Sequence, residues 1–326
     1  MNESNDFLIQ PFQRLLKDIC PPSVVRQEEA RAGVASLWND IEASGFLDAL
    51  VPEESGGAGQ TLNDIFPLLL LCGAFALPAP VGETMIARAV LVRRGVTPPA
   101  DGAIIIAPPS PVTPLAAKAN YALVPRENVL VLLAIEPLQL DPFRAGGCAG
   151  PVTGKTVLEV PTLGFDLLSC AAALTAANMA GAMGHLVGLA TAYANDRMQF
   201  GRPLSKFQAI QHQLAVAAQE TVAAQCAARI GFSGKQFDPL RCAVSKARVG
   251  KSSEALCAII HAVHGAIGVT EEYDLQLYTR RLKQGQLAFG SQSYWTKALG
   301  LARTNALTGT SADFVRLNLQ EDFDDG

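Results

Sequence analysis

The stretch "NDRMQFGRPLSKFQAIQHQLA", residues 195–215, lies between two long alanine-rich patterns and is the most polar part of its neighbourhood. Arg197 stands at the end of the first pattern, where a planar guanidinium offers donors suited to a pyrophosphate. Phe200 can stack or pack on an aromatic base. Gly201 and Pro203 turn the chain into the next helix, whose N-terminus also favours anions. The plainer reading is an interhelical turn with a solvated arginine. The residues alone leave both readings open.

Working outward, "FDLLSCAAALTAANMAGAMGHLVGLATAYANDRM" predicts one long helix rich in Ala and Gly, small enough for close helix–helix approach. A second helix follows from about 203 to 232, a third over 236–265, and a fourth after the turn at 285–291. Residues 164–315 therefore read as a four-helix bundle. Residues 97–163 differ: "AIIIA", "YALVP", "NVLVLLAI" and "TVLEV" are short β-prone runs between turn residues, as in a small antiparallel unit. Residues 1–96 read as helical again. "ARAGVASLWNDIEASGFLDAL" ends a helix near Gly45, and "FPLLLLCGAFALPAP" is a buried helix, too short to span a bilayer and stopped by prolines. The tail 316–326 is acidic and reads as disordered. The fold class is α+β, predominantly helical: an N-terminal helical domain, a shortened β domain and a C-terminal bundle.

Composition narrows the function. Hydrophobic residues make up 49% and charged residues 17%, so much surface must be buried in the chain or against partners. A net charge of −4 without a basic patch excludes nucleic acid as a partner. The seven cysteines lack CxxC spacing and read as reduced core thiols of a cytoplasmic protein. The N-terminus lacks a signal-peptide pattern. His261 and His264, at i,i+3, could share a helix face, but no third ligand is spaced to join them, so no metal site is expected.

Three motifs carry a resemblance. "R-x-Q-F-G-x-P-L-x-x-F-Q-x-x-Q-x-x-L-A" from Arg197 resembles the bundle signature of the acyl-CoA dehydrogenase family. "HAVHGAIGVTEEYDLQLYTRR", 261–281, resembles its "Q-x-H-G-G-x-G-x-T-x-E-Y" segment, and "LWNDIEASGFLDALVPEESGGAG", 37–59, its N-terminal "P-E-x-x-G-G-x-G" segment. Order and spacing match over nearly the whole chain. The resemblance implies FAD shared between subunits, an acyl-CoA substrate and abstraction of its α-proton by a carboxylate. It implies that Arg197 holds the FAD pyrophosphate of a neighbouring subunit, that Gln199 and Phe200 line the ADP site, and that Gln208 lies one turn deeper. His264 matches the motif's His. Gly265 would allow close backbone approach to the cofactor. Ala262 and Ala266 depart from the family's Gln and Gly.

The base is missing. The family's Glu, in its "[IVL]-Y-E-G-T" turn, aligns with Phe289, beside Gly290 and Ser291; the second known base position falls near Ala171. Asp166 is the one carboxylate close to that second position, about five residues off and more than a helical turn away. Glu271, Glu272 and Asp274 are the other carboxylates nearby in sequence; Glu271 and Glu272 follow a glycine turn and suit the capping or solvation of a helix start. The flavin-loop and "W-I-[TS]-N" motifs of the β domain are also absent. The chain thus resembles the short, base-lacking subunit of bacterial α2β2 enzymes acting on bulky, steroid-type thioesters, with a homologous partner supplying the catalytic Glu. Two alternatives stand: a self-sufficient homotetramer with a displaced base, and a non-catalytic homologue without cofactor.

Overall fold

The computed structural model describes residues 6–29, 31, 36–136, 138, 146–306 and 309–319. The first part is helical: α1 (Asp6–Ile19), α2 (Pro22–Glu29), α3 (Trp38–Ala43), α4 (Leu62–Ala74) and α5 (Val81–Val92). Helix α3 stops where Gly45 takes a φ of 78°, a left-handed value that glycine adopts without steric cost. Helix α4 starts at a capping box: the Thr61 hydroxyl accepts from the Asp64 amide, and the Asp64 carboxylate accepts from the Thr61 amide. Its apolar run then buries Ile65, Leu68 and Leu69 completely.

The β unit holds β1 (Ile104–Ile106), β2 (Val112–Thr113), β3 (Tyr121–Arg126), β4 (Val129–Ile135), β5 (Cys148–Ala149) and β6 (Gly154–Pro161). The main sheet has the order β1-β3-β4-β6. Pairings β3–β4 and β4–β6 are antiparallel, but β1 runs parallel to β3, which departs from the antiparallel unit expected. The reason is the connection. The segment 107–120 crosses over rather than turning back, and its β2 pairs with β5 instead. That crossover is pinned by Lys118, which is 1% exposed and donates to Glu28 Oε2 (3.2 Å) and to the Arg31 carbonyl (2.7 Å).

The last part holds α6 (Leu167–Asp196), the two-stranded β7 (Met198–Gln199) and β8 (Arg202–Pro203), α7 (Gln208–Ile230), α8 (Pro239–His264), α9 (Leu275–Leu287), α10 (Gln292–Asn305) and α11 (Ser311–Leu319). Helices α6, α7 and α8 pack on one another and α10 packs on α8, forming the four-helix bundle. Helix α9 was not expected as a separate helix. It buries Leu275, Leu277, Tyr278 and Leu282, while most of its other positions are polar. It is held to α2 by ion pairs from Arg280 and Arg281 to Glu29, while Arg26 of α2 reaches Asp274 at 2.6 Å just before α9. Helix α11 runs to Leu319, across the start of the segment read as a disordered tail; residues 320–326 lie outside the described residues.

The small residues of α6 face inward. A Cβ on Gly73 of α4 would lie 1.8 Å from the Asn178 carbonyl oxygen, and one on Gly181 would lie 1.9 Å from that of Leu70. The two helices therefore cross with backbones touching, each supplying a glycine. Helices α6 and α8 are each long and apolar enough to cross a bilayer. For α6, 78% of the most apolar window is buried inside the protein, against 44% for α8.

Candidate functional site

The end of α6 builds the first half of the site. Arg197 is its C-cap residue, fully exposed, and its guanidinium makes no hydrogen bond or ion pair among the described residues. The chain then makes a hairpin, Met198 opposite Pro203 and Gln199 opposite Arg202. Its tip places Phe200 at φ 51° and Gly201 at φ 79°. Two successive positive φ values suit the twist of a two-residue hairpin, and the glycine takes the second without cost. The turn thrusts the Phe200 ring out until it is 90% exposed. Behind it the Arg202 guanidinium sits 4.2 Å from the Phe207 ring centroid. Gln199 and Gln208 are exposed, and Gln208 opens α7, whose N-terminus no side chain caps. That leaves amide donors of the first turn facing outward.

The end of α8 supplies the second half. The His264 ring is buried, with Nδ1 2.8 Å from the Ile260 carbonyl, and it stacks on Tyr193 of α6 at 4.6 Å between centroids. The Tyr193 hydroxyl donates to the His264 carbonyl at 3.3 Å, and Tyr273 closes the cluster 5.1 Å from the His264 ring. Burial first, and His261 next to it, lower the His264 pKa, so the ring is neutral at pH 7. Its Nε2 is buried without a partner among the described residues. Tyr193 lies one helical turn before Arg197, so the aromatic cluster brings the two motifs to one end of the bundle. Gly265 and Ala266 emerge there, exposed. No atom of the chain lies within 4 Å of where a Gly265 Cβ would be. The space beside it is therefore open, as the approach of another group would require. Its glycine is required by the backbone, at φ 62° and ψ −141°, a region that residues with a Cβ avoid.

Phe289 and Ser291 are not part of this cluster. They sit in the α9–α10 turn, next to Lys246 of α8. Eighteen residues separate Lys246 from His264, about 27 Å at the helical rise. Phe289 is buried at φ 53°. Its amide donates to Ser110 Oγ (3.0 Å) and its carbonyl accepts from Trp295 Nε1 (3.0 Å). The fully buried Lys246 ammonium donates to the carbonyls of Gly285 and Gly290, each at 2.8 Å. Ser291 Oγ accepts from the Tyr294 amide as the N-cap of α10. The turn is thus held on every side around an apolar ring.

Asp166 has a structural occupation. One carboxylate oxygen accepts from the amides of Leu168 (3.0 Å) and Ser169 (3.2 Å), and the other from Ser169 Oγ (2.5 Å), capping α6. All three bonds serve the start of the helix. Arg26 takes the carbonyls of Glu271 and Glu272.

One functional candidate escaped the sequence reading. A cleft with a cavity volume of about 80 Å³ lies between α4, α5, α6 and α9, bordered by Pro114 and Leu115. Its walls are mainly apolar. Glu83 of α5 and Arg281 of α9 are its charged lining residues among the described residues. Burial pushes the Glu83 carboxyl up to about 7, against the lowering effect of a hydrogen bond from its own backbone. Sequence gives no warning, because a lone Glu in a helix is ordinarily solvated.

Residues 166–299 match the model for the acyl-CoA dehydrogenase C-terminal domain. Acyl-CoA dehydrogenase IpdE2 of Mycolicibacterium smegmatis is 30% identical over 307 residues, covering 86% of this chain and 93% of that protein. The chain belongs to the acyl-CoA dehydrogenase family. Among solved structures, the ChsE4-ChsE5 complex from Mycobacterium tuberculosis contains a chain that superposes with a TM-score of 0.82 at 18% identity, covering 94% of this chain and 99% of that one. A Tcur3481-Tcur3483 steroid ACAD variant superposes with a TM-score of 0.78 at 22% identity, covering 93% and 98%. At these identities the superpositions speak for the fold.

Members of the acyl-CoA dehydrogenase family use FAD. The residues at the Arg197 end fit a phosphate-bearing dinucleotide: an uncommitted guanidinium, an uncapped helix start, an exposed aromatic ring and a bare backbone at Gly265. At the other end, the position that the resemblance aligns with the family's base carries Phe289.

Proposed function

We propose that this chain is a subunit of an FAD-dependent acyl-CoA dehydrogenase, contributing part of the ADP site and the scaffold while a homologous partner supplies the catalytic Glu. The observation that carries this reading is the contrast between the two ends of the bundle. At one end Arg197, Gln199, Phe200, Gln208, Gly265 and Ala266 converge, exposed and uncommitted. At the other end Phe289 fills the base position, buried and hydrogen-bonded through its backbone into a fixed turn.

When bound, FAD supplies the hydride acceptor for α,β-dehydrogenation of an acyl-CoA thioester. Arg197 would pair with the pyrophosphate, the first turn of α7 would add amide donors, and Phe200 would pack on the adenine. His264, neutral and stacked on Tyr193, sets the position of Gly265. Ser291 caps α10 and thereby helps hold the turn. Bulky thioesters, steroid-derived acyl groups among them, suit the partner-subunit reading, supported by the steroid enzymes among the structural neighbours. The exposed apolar side chains Val269, Leu287, Tyr294 and Leu301, and the half-buried apolar helix α8, supply surface for a partner subunit. We place the assembly in the cytoplasm, in keeping with seven cysteines of which none is paired.

Arg197→Ala tests the reading. Flavin occupancy of the purified assembly should fall at least tenfold, a loss in line with roughly 1.5–3 kcal/mol for a hydrogen bond to a charged group. The thermal midpoint of this chain should not move, because the Arg197 guanidinium makes no hydrogen bond or ion pair among the described residues. Unchanged flavin occupancy would remove Arg197 from the site.

A further inference from the structure

A larger cavity lies at the end of α6 opposite Arg197. Its volume is about 500 Å³, within the range of pockets that hold drug-sized molecules. Three stretches distant in sequence wall it: the segment 50–62 with the last turns of α5, the linker at Leu163 and Phe165, and the α7–α8 turn at 235–237. Helix α6 has 30 residues, a length of about 45 Å, and Phe165 stands just before its start. None of the lining residues belongs to the Arg197–His264 cluster, the Phe289 turn or the cleft around Glu83. The walls are apolar and the rim is cationic. Leu50, Leu62, Ile86, Val90 and Phe237 are each no more than 9% exposed. Phe165 meets Phe237 edge-on, with centroids 6.5 Å apart. Arg93, Arg94 and Lys235 are the charged lining residues, and no Asp or Glu joins them among the described residues. Arg94 is committed to neutral acceptors: Nε donates to the Pro161 carbonyl (2.6 Å), Nη1 to that of Val90 (3.1 Å) and Nη2 to that of Thr162. Arg93 and Lys235 are exposed, and neither side chain makes a hydrogen bond or ion pair among the described residues. Glu53 and Glu54 line a neighbouring hollow that shares Arg93, yet neither pairs with it.

This division of charge selects the occupant. An ammonium would meet three cations of like sign. A neutral molecule would cover the walls and leave two cations unused. A phosphate monoester carries up to two charges and three acceptor oxygens. The nearest helix start is that of α4, where the Asp64 carboxylate already accepts from the Thr61 amide and adds a negative charge. That setting opposes a dianion. A carboxylate has two oxygens in a plane, which match the planar fork of a guanidinium. We propose that this cavity binds a small organic acid, its flat apolar body lying against Phe165, Phe237 and α5, and its carboxylate pairing with Arg93 and Lys235 at the rim. Such a ligand bridges the N-terminal helices and the bundle without touching the cofactor residues. The site stands whether or not the chain shares a flavin.

Calorimetry on the full chain, in whatever assembly it purifies, compares three probes: 2-naphthoate, 2-naphthalenemethanol and 2-naphthyl phosphate. Wild type should bind the naphthoate roughly tenfold or more tightly than the alcohol, the scale of a hydrogen bond between charged groups. Replacing both Arg93 and Lys235 by Ala should remove that preference. Arg93→Lys, which keeps the charge and loses the fork, should retain part of it. Lys155→Ala, which removes an exposed cation of β6, should leave it unchanged. The double variant should melt with wild type, because neither side chain is bonded within the described residues, so lost binding is not a folding failure. Equal binding of naphthoate and alcohol, no binding of naphthoate, or a preference that survives the double variant would overturn the proposal. Tighter binding of the phosphate than of the carboxylate would overturn the assignment to a carboxylic acid.

Discussion

Gly73→Ala tests the helix crossing on which the cleft depends. The added methyl would lie 1.8 Å from the Asn178 carbonyl oxygen, 2.7 Å from its carbon and 3.0 Å from the Ala182 nitrogen. An ordinary carbon–oxygen contact needs about 3.5 Å or more, so α4 and α6 would have to separate by well over an ångström. All three atoms are backbone, so no side-chain rotation relieves the clash. Overpacking of a fitted core costs about 1–3 kcal/mol and occasionally more; with backbone on both sides the upper end applies, roughly 3 kcal/mol. For a chain of this size that is a fall in thermal midpoint of roughly 4–5 °C. Gly188→Ala is the internal control. It lies in α6 as well, but its Cβ would meet nothing within 4 Å. There the substitution should stabilise by up to about 1 kcal/mol through helix propensity alone. Thermal melts followed by far-UV circular dichroism on the two variants read the contrast. Similar midpoints for Gly73→Ala and Gly188→Ala would refute the close crossing.

Further outcomes follow from the same geometry. Asp166→Ala should cost about 1–2 kcal/mol through the lost α6 cap, while Asp166→Asn should keep most of that stability and leave turnover of the assembled enzyme unchanged; loss of turnover in the Asn variant would make Asp166 a base. Burial raises the Glu83 carboxyl to about 7 from 4.5, so between those values the folded chain binds more protons than the unfolded one. Stability therefore falls as pH rises through that window, by order 1–3 kcal/mol, and Glu83→Gln should remove the slope in pH-dependent denaturant melts. Cys72 and Cys170 face the same region from α4 and α6, and burial pushes both thiols up, away from this window. Lys246 shows the opposite sign. Its value is lowered by burial from 10.5 to about 7, so the unfolded chain binds more protons between these values and stability rises with pH there. Lys246→Met should flatten that rise; an unchanged rise would assign it to another group.

Much of the fold was legible because its signals are local. The Ala-rich run of α6, the apolar run of α4 and the stop at Gly45 each act through neighbours in sequence. Helix α9 was hidden because its exposed face carries Lys283 and its Arg280 and Arg281 are held by Glu29, a residue some 250 positions earlier. The parallel pairing of β1 with β3 depends on where the crossover 107–120 is anchored, and its anchor, Lys118 on Glu28, is also distant in sequence. The motif residues at Arg197 and His264 could be read one by one. Their adjacency rests on the Tyr193–His264–Tyr273 stack, which no spacing rule contains. Glu83 was missed for the same reason: four helices from separate parts of the chain make its surroundings.

The central claim is that this chain shares an FAD site and lacks its own base. The most direct measurement is an absorbance spectrum with native mass, taken on the chain alone and after co-expression with a homologue that carries a Glu at the position of Phe289. A colourless chain alone and a yellow mixed tetramer together is the predicted result. A yellow homotetramer that turns over acyl-CoA without any partner would contradict it.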